Sequence, residues 1–134
     1  MPLHSASAQV APSKTVTIIS WTLRILAAAA FLAAGGAKLA GVPMVVAIFD
    51  QIGAGQWFRI LTGIVEVSGG IALLISATAA FGALLLSATM VCAILTHIFI
   101  IGGSPVPAIV LLVVTATVTW LNRSRFVGLL NALR

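Results

Sequence analysis

Charge is what this sequence has least of. Asp, Glu, Lys and Arg make up 7% of its 134 residues, against roughly 25% in an average globular domain. Acid is scarcer still, with Asp50 and Glu66 the only carboxylate side chains against seven Lys and Arg. So little polar surface cannot cover a water-facing domain of this size, which excludes a cytosolic enzyme. Cysteine is nearly absent too. Cys92 stands alone in an apolar stretch, which excludes an internal disulfide, a CxxC redox pair and a cysteine metal cluster. No glycine-rich phosphate loop and no Ser/His/Asp constellation is present. One histidine in the apolar part, His97, cannot supply both axial ligands of a transmembrane b-type haem, and His97 with Glu66 is too sparse for a metal site. No metal is therefore expected.

The formal charge is +5, but its carriers Lys14, Arg24, Lys38, Arg59, Arg123, Arg125 and Arg134 are scattered singly and form no basic face, which argues against a nucleic-acid partner. What is plentiful is apolar length, with 61% hydrophobic residues and a mean hydropathy of +1.24. A spanning helix needs about 20 mainly apolar residues. Four spans would use roughly 80 of the 134 and leave short loops and tails.

Residues 1–15 are rich in Ser, Ala and Pro without apolar period and read as a flexible tail. The small residues SASA precede the first apolar run instead of following it, so the first helix is expected to be retained and not cleaved as a signal. Helices are expected at about 16–39, 57–76, 80–101 and 108–121, with 122–134 a basic amphipathic tail whose apolar side carries Phe126, Val127, Leu129 and Leu130. Gly41-Val42-Pro43 ends the first helix. The segment MVVAIFDQI around Asp50 can form a short interfacial helix, and Gly102-Gly103-Ser104-Pro105 breaks the chain before the last span. Trp57 and Trp120 suit interfacial anchors. Lys14, Arg123, Arg125 and Arg134 gather on the side of the termini, while the loops 42–56 and 102–107 hold no Lys or Arg. The expected fold is an all-α integral membrane four-helix bundle, up-down-up-down, with both termini cytoplasmic.

Ionisable groups inside a bilayer are costly and count as functional candidates by default. Lys38, Glu66 and His97 fall at depths of roughly 2, 13 and 7 Å below the outer boundary at 1.5 Å per residue, so all three share the outer half. On the second helix Arg59, Gly63, Glu66 and Gly70 repeat with a helical phase that describes an interior seam, where glycines admit a neighbouring backbone. Arg24 reads first as an anchor that snorkels to the inner boundary. Lys38 either snorkels to the outer headgroups or pairs with Glu66 or Asp50. Glu66 is too deep to escape and is either half of a structural pair or a proton- or ligand-handling group. His97 is either a hydrogen-bonded bundle histidine or part of the same site. Asp50, Gln56, Trp57 and Arg59 are placed at the rim of its mouth. Thr96, Thr115, Thr117 and Thr119 are expected to bond neighbouring helices or their own backbone.

The stretch from Arg24 to Leu74 resembles the DoxX and DoxX-like family of small four-helix membrane proteins. The resemblance rests on Arg24 early in the first helix, on Gly35 or Gly36 with Lys38 and Leu39 at its end, and on Gly63, Glu66, Gly69 and Gly70 in the second. It implies a bacterial inner-membrane protein that supports a redox process, with soluble or membrane redox proteins as partners and a quinone or other small lipophilic ligand as cofactor. The family assigns no established catalytic role to Arg24, Lys38 or Glu66. Two other expectations remain. One is a non-enzymatic module whose charges only lock two helices and whose function lies in partner contacts or homo-oligomerisation. The other is a small transporter, for which four spans without an internal repeat form a narrow path.

Overall fold

The computed structural model describes residues 13–134. The expected tail therefore lies outside the described residues up to residue 12. Its last three residues are not tail: Ser13 caps a helix by accepting the Val16 N–H at 3.2 Å, and Lys14 begins it. The helices are α1 (Lys14–Ala40), α2 (Pro43–Ile52), α3 (Gln56–Leu74), α4 (Ala79–Thr96) continued by a π-helical turn (His97–Ile101), α5 (Val106–Leu121) and α6 (Ser124–Ala132). The described residues contain no strand.

The boundaries follow from local chemistry. Gly41 ends α1 at φ 69°, a left-handed conformation that costs glycine no steric strain, and its N–H closes back on the carbonyls of Ala37 and Lys38. Pro43 then opens α2 at a position where its missing N–H is no loss. Gly102 and Gly103, both with positive φ, separate the π turn from the proline-led start of α5.

Helices α1, α3, α4 and α5 close a ring in which α1 packs on α3, α3 on α4, α4 on α5 and α5 back on α1. Inside the ring lies a core built from Ala28, Phe31, Leu73, Ala83, Leu86 and Val118, each almost wholly buried. The outside is a sheath of large apolar side chains, among them Leu26, Ile64, Leu84, Val113 and Trp120, at least 50% exposed in each case. A surface of this kind suits contact with lipid. Three helices, α1, α3 and α4 with its π turn, are long and apolar enough to cross a membrane. The expected fourth span is less simple. α5 has 16 residues, a rise of about 24 Å, and meets the length only together with α6, to which it is bent by 52°. α6 is helical as its apolar pattern requires, yet only Phe126 is drawn in, edge-on to Phe81 at 4.8 Å.

The intramembrane threonines bond as expected. Thr96, Thr115, Thr117 and Thr119 each donate to the carbonyl four residues earlier, and Ser87 adds an interhelical bond to Thr115 at 2.9 Å.

Candidate functional site

The site is built on a close approach of two backbones. A Cβ added to Gly35 would stand 2.8 Å from Val67 Cγ2 and 2.9 Å from the Gly63 carbonyl, and one on Gly63 would stand 3.0 Å from Leu39. Gly35 and Gly63 thus let α1 and α3 touch along the seam that the glycine spacing marked. Gly70 continues it against Leu32 and the Ala28 carbonyl. Gly36, the neighbouring glycine of the same stretch, meets nothing within 4 Å.

Beside this contact Lys38 Nζ donates to Glu66 Oε2 at 2.9 Å. Their side chains are 17% and 4% exposed. Lys38 does not snorkel outward. Cβ vectors tilt toward a helix N-terminus, so a lysine at the C-terminal end of α1 extends its stem back into the bundle, and four methylenes span the difference in depth to Glu66. Among the described residues no second donor reaches Glu66, and two of the three ammonium protons of Lys38 are unspent.

The pair faces a cavity of about 380 Å³ between α1, α2, α3 and the end of α4. Its walls are apolar side chains of α2 and α3, with Ala93 and Cys92 from α4. Thr89 and Thr96 line it while donating their hydroxyl protons to the carbonyls of Leu85 and Cys92, so toward the cavity they offer acceptor lone pairs. His97 closes one end, where the α-helix widens into the π turn, and its Nδ1 lies 3.1 Å from the Gly102 carbonyl. Lys38, Glu66 and His97 are thus brought together on one cavity.

The proposed rim is a correction. Asp50, Gln56, Trp57 and Arg59 do not line the cavity. Three of them form a polar chain beside it: Gln56 donates to Asp50 at 2.7 Å, Arg59 Nε donates to Gln56 at 2.6 Å, and Arg59 Nη1 donates to the Lys38 carbonyl. Asp50 accepts from Gln56 within this chain of polar groups, and Glu66 is the carboxylate that Lys38 reaches. Arg59 thus gives the Lys38 carbonyl, near the C-terminus of α1, a second donor beside the Gly41 N–H. Trp57 is 65% exposed on the outside. Arg24 is the second correction. It is 3% exposed, donates from Nε to the Leu73 carbonyl at 2.6 Å and lays its guanidinium on the Trp21 ring at 3.7 Å, so it is buried and does not snorkel.

The wall contributed by α2 went unread in the sequence. Val45, Ile48, Phe49 and Ile52 line the cavity and repeat at i, i+3, i+4 and i+7, the spacing of one helix face. That spacing is present in MVVAIFDQI, but the apolar face of a short interfacial helix can turn to lipid as readily as to a cavity, and only packing decides which. Cys92 likewise lines the cavity without any sequence signal.

Apolar helices in a ring, an apolar exterior and an ion pair turned inward define a small multi-pass membrane protein. The chain belongs to the DoxX-like family, whose family model matches residues 22–121, a span that takes in Arg24, Lys38 and Glu66 and all of α3, α4 and α5. No curated protein and no solved structure matches the chain.

Proposed function

We propose that this protein is a bacterial inner-membrane subunit or scaffold of a membrane-associated redox process, and that it holds a quinone or a comparably small lipophilic ligand in the Lys38/Glu66/His97 cavity. The observation that carries the reading is the cavity itself. Its volume of about 380 Å³ falls within the roughly 300–1,000 Å³ usual for small-molecule sites, and an apolar wall with a few convergent polar groups suits a ring with polar substituents. A bound quinone would supply the electron chemistry. The unspent ammonium protons of Lys38 can hydrogen-bond a ligand carbonyl, and Glu66 can exchange a proton with it. Soluble or membrane redox proteins are the proposed partners.

The test is to purify the protein, assay co-extracted quinone, and titrate a short-chain benzoquinone. Ala93→Phe, which fills the cavity without touching the ion pair, should weaken binding by about tenfold or more, equivalent to about 1.4 kcal/mol, while Lys38 and Glu66 stay paired. Absence of co-purified quinone together with no saturable binding to the wild type would overturn the ligand reading. The structural reading would then stand, in which the pair only locks α1 to α3. Its support is that Lys38–Glu66 sits beside the Gly35/Gly63 approach.

We also propose an up-down-up-down path with both termini in the cytoplasm. The support is the absence of Lys and Arg from the loops 42–56 and 102–107 and their presence near the termini. In a Cys92→Ala background, Ser104→Cys should be labelled by an impermeant maleimide from the periplasmic side only. Labelling from the cytoplasmic side would invert the orientation.

A further inference from the structure

At the end of the bundle where α1 begins and α5 ends, a second cavity of about 160 Å³ is lined by Thr17, Ser20, Trp21, Arg24, Asn122 and Arg125 among others. Arg24 is held there from two sides, by the Leu73 carbonyl at Nε and by the Trp21 ring on its face. Its Nη2 is buried and has no hydrogen-bond partner, the one buried side-chain polar atom among the described residues in that state. A buried guanidinium nitrogen left unpaired is costly, which makes an unmet donor of a lining residue a pointer to a ligand.

No carboxylate side chain of this chain is available to meet it. Asp50 is bonded to Gln56 and Glu66 to Lys38, both at the other end, and residues 1–12 contain no Asp or Glu. A second guanidinium, Arg125, lines the same cavity. Ser20, 8% exposed, accepts from Asn122 Nδ2 at 3.2 Å, which leaves its hydroxyl proton to donate. The site is thus rich in donors and lacks an anion. Trp21 and Trp120, with Arg123 over the Trp120 ring at 4.3 Å, put aromatic rings at this end as proteins do at headgroup level.

We propose that the Arg24/Arg125 cavity binds a phosphate group, supplied by an anionic phospholipid or by free phosphate. Planar guanidinium forks match phosphate oxygens, and the small volume takes one such group. This site is independent of the ligand cavity at the other end.

The full-length protein is tested in two arms. In nanodiscs, thermal stability is compared between phosphatidylcholine alone and phosphatidylcholine with increasing phosphatidylglycerol. In delipidated detergent, inorganic phosphate is titrated against chloride at matched ionic strength. A saturable rise in Tm is expected in at least one arm. A response to phosphatidylglycerol alone assigns the lipid, and a response to inorganic phosphate assigns the free ion. Arg24→Gln and Arg125→Gln should each weaken the response by about tenfold or more, as loss of a charge-assisted contact does. Arg125 is exposed on α6, so its variant folds even where Arg24→Gln does not. Glu66→Gln should leave the response unchanged. No response in either arm, or a full response in Arg125→Gln, overturns the proposal.

Discussion

Replacing Lys38 with Met is expected to lower stability by about 3–5 kcal/mol, the usual result of stranding one member of a buried pair. The stranded member is Glu66, whose side chain is 4% exposed and which no other donor among the described residues reaches. Glu66→Gln should cost less, about 1–3 kcal/mol, because the ammonium left behind on Lys38 is 17% exposed and still has an amide oxygen to donate to. The double variant Lys38→Met/Glu66→Gln should be more stable than Lys38→Met alone, since it removes the uncompensated charge. Thermal unfolding of the four proteins in one detergent measures the coupling directly. If the two single losses simply add in the double variant, the pair contributes nothing as a pair, and the 2.9 Å contact would be incidental to the packing of α1 on α3.

The second large effect separates two adjacent glycines. Gly35→Val should destabilise by about 3 kcal/mol, at the upper end of overpacking costs, because its Cβ would press on the Gly63 carbonyl at 2.9 Å and on Glu66 Cβ at 3.0 Å. Backbone cannot step aside as a flexible side chain can. Gly36→Ala should instead be neutral or gain about 0.5–1 kcal/mol, the helical advantage of Ala over Gly, since nothing lies within 4 Å of the added methyl. Gly35→Val should also impair the Lys38–Glu66 contact, because forcing α1 from α3 lengthens it. Equal melting temperatures for Gly35→Val and wild type would refute the close approach.

These two experiments touch the residues on which the sequence was most and least informative. Depth and phase bring Lys38, Glu66 and His97 into one half of the bundle, and the structure sets all three on one cavity. The same arithmetic could not choose between Asp50 and Glu66 as the partner of Lys38. That choice turned on the lysine stem running back along α1 to the depth of Glu66. Nor could periodicity tell Gly35 from Gly36, which differ by one helical step of about 100° and hence by which of them meets α3. Arg24 shows the same limit from the other side. Its height along α1 fits a snorkelling anchor, but height says nothing about which way a side chain turns, and here it turns inward to Leu73 and Trp21.

The sequence by itself determined that this is a helical membrane protein, roughly where its helices start and stop, and which few charges lie at bilayer depth. Those are properties of apolar length, glycine and proline placement and residue counts, all of which act locally along the chain. The tertiary structure alone decided which charge meets which, that α2 is a cavity wall, that Asp50, Gln56 and Arg59 form a polar chain beside the site instead of its rim, and that Arg24 is buried with an unmet donor. These depend on the rotation of each helix about its own axis, and that rotation is settled only when neighbouring helices pack.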